Sequence, residues 1–380
     1  MKKLEYAVSF TTPAFLGNAK QNGQWRTPPF KALFRQWWRV VQVRGGRPDA
    51  DALHRREGEL FGRAADVGTT ASQVRLRLDW REHNASIAAG DGKADTGNVQ
   101  HDEVEKAGKK VDAALYLGYG PLDADKAKGH CLKRESALAP GRSRSLSIAV
   151  PVAEEQRFLE VGRLAHAFGA LGSRSRNGWG SLHFDDRAKD RALTAEELAA
   201  MLDPSKSAGR DWLRPFSRDW MQALGSDWCH AIGRDENGLL IWRTDAMGKW
   251  EDVLRRLAEV KIDFRTQFHF KGGGKHSALC DRQVLAYPIT KHELQDWEFL
   301  KDEKTGKDRK DSSRNANQVL FKVLPSSGGY CGLVAHFPHG LPVPLVQRLS
   351  NTDRSDLNAR EHRVWSSVHA VLNKSLTRLP

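Results

Sequence analysis

The sequence predicts an α+β fold in two halves. Three observations carry that prediction: short stretches that alternate apolar and polar residues, longer stretches with apolar residues at helical spacing, and an order that in the first half runs β-α-β-β-α-β. At 380 residues the chain is long for one core and suits two domains with loops to spare. We place the divide at Asp203-Pro204-Ser205, giving residues 1–205 and 206–380.

Leu4 to Phe10 alternates and ends at Thr11-Thr12-Pro13, as a first strand would. Pro28-Pro29 opens a helix to about Arg44, because proline fits a first turn whose amides are unpaired anyway. Phe30, Phe34, Trp37 and Val41 recur at helical spacing there and form a core stripe. Gln73 to Trp80 reads as a half-buried strand with Arg75 and Arg77 outward. Residues 84–110, rich in Gly, Asp, Lys and Glu, read as a long mobile insertion. Ser145 to Pro151 is a further strand. Phe158, Val161, Leu164, Ala165, Phe168 and Leu171 keep a helical period, and Trp179 to Phe184 is the next strand. From Arg187 to Arg210 the chain is helical and polar. In the second half, strands are expected at Leu239–Trp242, Val284–Tyr287, Val319–Val323 and Gly332–Phe337, with helices at Trp250–Val260 and Leu357–Leu376 and a charged loop at 300–317.

The balance of 60 Lys plus Arg against 47 Asp plus Glu, a net +13, calls for an anionic partner. No apolar run is long enough for a membrane span and no basic amphipathic segment has an unbroken apolar face, so nucleic acid is favoured over lipid. Cys131, Cys229, Cys280 and Cys331 lie far apart, which indicates neither a disulfide framework nor a zinc site. The first ten residues alternate like a strand and have no signal-peptide core, so the expected compartment is the cytoplasm. Neither a metal nor another cofactor is expected.

Three basic groups stand out. On the first helix Lys31, Arg35 and Arg39 stand four residues apart and form a stripe, with Trp38 beside it as an exposed indole on which a base could stack. In the loop from Gly169 to Gly180, Gly172, Gly178 and Gly180 permit positive φ and a converging set of amides. Arg174 and Arg176 offer planar forks for phosphates there, and Asn177 adds a neutral donor. A solvated helix face and a plain helix-to-strand turn are the bland readings of these two features. The loop lacks Gly-Lys-Ser/Thr and follows a helix, the reverse of the order of a dinucleotide or P-loop site. Arg134, Arg142 and Arg144 form a third group just before a strand. The Lys271-Gly-Gly-Gly-Lys275-His276 turn ranks below these, as a solvent loop.

Thr12-Pro13-Ala14-Phe15-Leu16-Gly17, the run from Arg26 through Lys31, Arg35, Trp37, Trp38 and Arg39, Glu59-Leu60-Phe61-Gly62 and the glycine-rich loop together resemble the RAMP superfamily of CRISPR effector proteins. Within it they are most similar to the first-subunit family of the Cmr (type III-B) module. These motifs cover roughly the first half of the chain. Ala32 and Ala170 stand where the family usually has glycine. The resemblance implies two ferredoxin-like, RRM-related βαββαβ domains with long loop insertions. It implies a non-catalytic, RNA-binding subunit near the 3′ end of a guide RNA, in an antiviral complex that also binds complementary target RNA. Guide RNA, target RNA and other effector subunits are the implied partners, with Lys31, Arg35, Arg39, Arg174, Arg176 and Asn177 as RNA contacts. The alternative is a metal-independent endoribonuclease that processes guide precursors with a His general base; His54, His83 and His166 are candidates without a sequence partner to single one out.

Overall fold

The computed structural model describes all residues except 65–67, 80–85, 89–93, 105–107, 127–128, 134–135, 186–187, 271, 298, 302–307 and 311–312. The first half contains β1 (Lys2–Phe10), α1 (Thr27–Val43), α2 (Ala50–Phe61), β2 (Arg75–Leu78), α3 (Ala113–Gly118), β3 (Arg144–Val150), α4 (Glu155–Phe168) and β4 (Leu182–Asp185). Its four strands lie in the order β4-β1-β3-β2, every neighbour antiparallel. Alternation decides which face is core: Leu4, Tyr6, Val8 and Phe10 of β1 and Leu146, Ile148 and Val150 of β3 are all buried. α1 and α4 share the core with that face and meet each other through Phe34 on Phe158 at 6.3 Å and Trp37 on Phe168 at 5.8 Å between ring centroids. The prolines do start α1, and it stops at Arg44, where φ of 47° lets the amide bond back to the Val40 carbonyl.

After α5 (Ala195–Leu202) the order repeats. β5 (Ile241–Arg243), α6 (Trp250–Thr266), α7 (Asp281–Leu285), β6 (Val319–Ser326), β7 (Gly329–His336), α8 (Asn351–Ser375) and β8 (Thr377–Arg378) follow, with the strands in the order β6-β7-β5-β8, again antiparallel. Val319 to Leu324 is buried without alternation because this sheet is covered on both faces. Phe321 and Val323 join the core under α6, while Leu320 and Leu324 join the core of the first half. Lys322 lies in the middle of this run, fully buried. It is tolerated because its Nζ donates to the carbonyls of Ala165 and His166 at the C-terminus of α4, where the helix dipole favours a donor. Phe337 wedges against Trp37 and Phe168, so the halves share packing.

Several expectations are corrected. Val284–Tyr287 is not a strand: residues 281–285 form α7, whose first-turn Gln283 accepts from the Cys280 amide. The described parts of 84–110 contain strands, Ser86–Ala88 pairing with Ser136–Leu138 and Asn98–Gln100 pairing with Lys110–Asp112. Phe299–Lys301 pairs antiparallel with Asp308–Lys310, largely inside the stretch 300–317 read as a charged loop. The segment read as polar and helical around 187–210 is helical at α5, which sends Leu198, Met201 and Leu202 into the core. No helix among the described residues is long and apolar enough to cross a membrane.

Candidate nucleic-acid interface

The Lys31, Arg35 and Arg39 stripe exists, but it is not a free basic surface. Glu57 of α2 is buried, 2% exposed, directly beneath it. Its carboxylate accepts from Arg35 Nε, from Arg39 Nε and, at 2.7 Å, from Arg39 Nη2. Lys31 donates to the Ser72 hydroxyl at 2.8 Å. Two guanidiniums thus share one buried anion, which lowers the stripe's pull on phosphate. Trp38 corrects the expectation of an exposed indole: it is 1% exposed, set edge-on to Phe61, with Nε1 donating to Glu154 at 3.2 Å. Adjacent tryptophans on a helix point about 100° apart, yet α1 is gripped by both α2 and α4 and has room for two apolar flanks.

The glycine-rich loop is anchored from within. Gly172 has φ of 97° and Gly180 of 61°, and a Cβ at Gly180 would lie 1.9 Å from the Leu171 carbonyl oxygen. The Gly180 amide donates to Pro13 at 2.9 Å and the Ser173 amide to Phe15 at 3.1 Å. Gly178 and Gly180 are buried. These glycines let the loop lie against residues 12–15, and they are not an exposed amide cradle. Trp179 is buried against Phe15 and Trp250, which ties the loop to the second half.

The loop's polar side chains face the seam between α3 and α6. Arg174 is exposed, with φ of 59°, and its Nε donates to the Tyr119 carbonyl at 2.7 Å. Arg176 Nη1 donates to the Asn317 carbonyl at 2.6 Å, so this guanidinium is partly engaged. Asn177 donates to the Leu117 carbonyl at 2.8 Å and accepts from Lys261 Nζ at 2.8 Å. Lys261 and Arg265, one helical turn apart on α6, lie 5.8 and 5.9 Å from the Tyr116 ring centroid, and Arg265 Nη1 donates to the Tyr116 hydroxyl at 3.0 Å. Burial, then Arg265 and Arg174, hold the Lys261 ammonium well below the usual lysine range. Desolvation, then Arg314, lowers the Arg174 guanidinium. Nearby Glu103 is gripped at both oxygens by Arg282, at 2.7 and 2.8 Å. Four basic side chains, Arg174, Lys261, Arg265 and Arg314, therefore gather beside Tyr119, which is 63% exposed, and the nearby carboxylate of Glu103 is taken up by Arg282.

This cluster joins Arg174 and Asn177 of the loop to residues that the sequence does not single out. The signal was present: Lys261 and Arg265 repeat the four-residue basic spacing of the first helix, but the expected helix ends at Val260, one residue short. Arg314 and Tyr119 lie in loops and carry no sequence signal. The third predicted group does not assemble here. Arg142 is exposed, Arg144 is half-buried at the start of β3, and Arg134 lies outside the described residues. Of the histidines, His54 is exposed on α2, His83 and also Lys271 lie outside the described residues, and His166 is 1% exposed with Nε2 3.0 Å from His183 Nδ1.

No family model matches the chain, and no curated protein matches it in sequence. Solved structures do. Its structural neighbours include Cmr1 and chains of Cmr-beta complexes. Cmr1 from Pyrococcus furiosus, in its apo form, is 14% identical, with 89% of this chain and 88% of that one covered and a TM-score of 0.49. A chain of a type III-B Cmr-beta complex bound to cognate target RNA is 13% identical, covering 96% and 99%, at a TM-score of 0.43. A chain of such a complex bound to cognate target RNA and AMPPnP in the presence of single-stranded DNA is 11% identical, with the same coverage and a TM-score of 0.41.

Proposed function

We propose that this chain is a non-catalytic RNA-binding subunit of a type III-B CRISPR effector complex. It contacts guide RNA toward the 3′ end, with complementary target RNA and other effector subunits as further partners in antiviral defence. The observation that carries the reading is the cluster of Arg174, Lys261, Arg265 and Arg314, beside the glycine-rich loop through which the sequence resembles the RAMP superfamily. Cations held together out of full solvent repel one another, and a protein retains such an arrangement where an anion completes it. Arginine forks set against a lysine and flanked by tyrosines suit a phosphodiester with an unpaired base alongside.

In this reading each half, divided near residue 205, is a ferredoxin-like unit, the strand orders β4-β1-β3-β2 and β8-β5-β7-β6 being the same arrangement twice. The interface lies at the seam of the two units. Binding is tested by titrating the nucleic-acid-free chain with labelled single-stranded RNA. The triple variant Arg174→Ala, Lys261→Met, Arg265→Ala is expected to bind at least tenfold more weakly, and equal affinity sinks the assignment. Incubating the same RNA with the chain in EDTA is expected to yield no cleavage product, and a product would favour the endoribonuclease instead.

A further inference from the structure

Beyond the cation cluster, the chain of polar and aromatic contacts continues along α6 toward the 272–276 turn. Tyr116 meets His101 at 5.4 Å between ring centroids, and Arg282, held by Glu103, lies with its Cζ 5.6 Å from the Phe270 ring. At this end His276 Nε2 and His292 Nδ1 are 3.0 Å apart. Their ring centroids are 5.3 Å apart and their planes differ by 17°. An edge-to-edge hydrogen bond at that centroid separation sets the two imidazoles side by side in one plane. Phe270 backs this surface, parallel to His292 within 7° at 3.7 Å and 5.0 Å from His276. The backbone locks the arrangement: the His276 amide donates to Glu293 at 2.8 Å and the Gln295 amide to the His276 carbonyl at 2.9 Å. Gly272 and Gly274, at φ of 81° and 99°, make the turn that brings the two segments together. His276 and His292 both remain partly exposed.

A flat, hydrogen-bonded pair of heteroaromatic rings backed by a phenyl ring has the outline of a base edge-paired with another base. A flat, partly exposed aromatic surface of this kind suits a base stacked upon it. We propose that the His276–His292 pair is a stacking platform for an unpaired RNA base, at the far end of a strand path that begins at Arg174 and follows α6. This inference rests on the RNA-binding reading above, and it adds a place where a base, as opposed to the backbone, is held. Stacking on aromatic side chains tolerates any base, so the platform fixes a position along the strand without selecting a sequence.

The test uses the full chain and single-stranded RNAs of about 12 nucleotides, within the span of known single-strand sites, each carrying 2-aminopurine at a different position. Fluorescence quenching at one position, lost in the His276→Ala, His292→Ala variant together with a roughly fivefold or greater fall in affinity, is the expected result. His292→Phe, which keeps a ring on Phe270, is expected to retain most of the quenching. RNA that binds with no quenched position in the native chain, or quenching and affinity unchanged in the double alanine variant, overturns the platform and leaves the RNA-binding reading standing. No RNA binding by the native chain overturns both.

Discussion

Lys261→Met is the most informative single substitution, because it is expected to stabilise the free protein and weaken its hold on RNA. The Lys261 ammonium is held down by burial and by the charges of Arg265 and Arg174. Two unit charges on the order of 6 Å apart at an effective dielectric near 20 repel by about 3 kcal/mol, and solvent around the exposed Arg174 removes most of its share. Against that gain stand the hydrogen bond to Asn177 and the contact with the Tyr116 ring, each worth about 1 kcal/mol. Methionine fills similar volume, so the net expectation is a gain of about 1 kcal/mol, or a rise in Tm of about 2 °C. The sign has a pH signature. Because the folded-state pKa of Lys261 lies below the unfolded value of 10.5, the unfolded state binds more protons in the window between them, and native stability rises with pH there. The advantage of Lys261→Met should shrink as pH approaches 10.5. Urea denaturation of RNA-free protein at pH 7 and pH 10 reads both effects. A variant less stable than the native chain by the same amount at both pH values refutes the reasoning.

Three further outcomes follow from the packing. Trp38→Ala is expected to cost about 3–5 kcal/mol in urea denaturation, as a buried indole should, whereas a surface indole would cost well under about 1 kcal/mol. Glu57→Ala is expected to destabilise by about 1–3 kcal/mol, discounted because Arg35 and Arg39 are over a third exposed and can rehydrate. Its RNA affinity in a filter-binding titration should stay unchanged, and a large rise, from two cations freed of their anion, would show that the first helix is the interface. Gly180→Ala places a Cβ on the Leu171 carbonyl at positive φ, and is expected to lose at least about 2 kcal/mol or to express as insoluble protein, as a thermal melt or a solubility assay would show.

Most of the first half was legible because its signals are local. The alternation of Leu4 to Phe10, the Phe30, Phe34, Trp37, Val41 stripe and the Phe158 to Phe168 period each mark a face that the fold buries. Val284–Tyr287 misled because a short apolar run of β-branched and aromatic residues does not by itself distinguish strand from helix, and the capping contact between Cys280 and Gln283 decided it. The candidate site was only partly legible. Arg174 and Asn177 stood out through their loop, but whether a cation is available depends on its partners. Glu57 lies 18 residues beyond Arg39 and is neutralising only once α2 folds onto α1. Lys261 sits 84 residues beyond Asn177 and meets it only across the seam of the two halves. Sequence spacing sees charges on one helix and does not see which of them are already paired.

The salt dependence of RNA binding tests the central claim most directly. Anisotropy titrations with single-stranded RNA over a range of salt would compare the native chain with Arg174→Ala, Arg265→Ala and with Arg35→Met, Arg39→Met, Glu57→Leu, which removes two cations together with their anion. Removing one cation that neutralises a phosphate of a single strand lowers the log–log slope by about 0.7. The first variant is expected to bind more weakly with a slope shallower by about 1.4, and the second to keep the native slope. A native slope in the first variant and a shallower one in the second would place the RNA on the first helix and contradict the account.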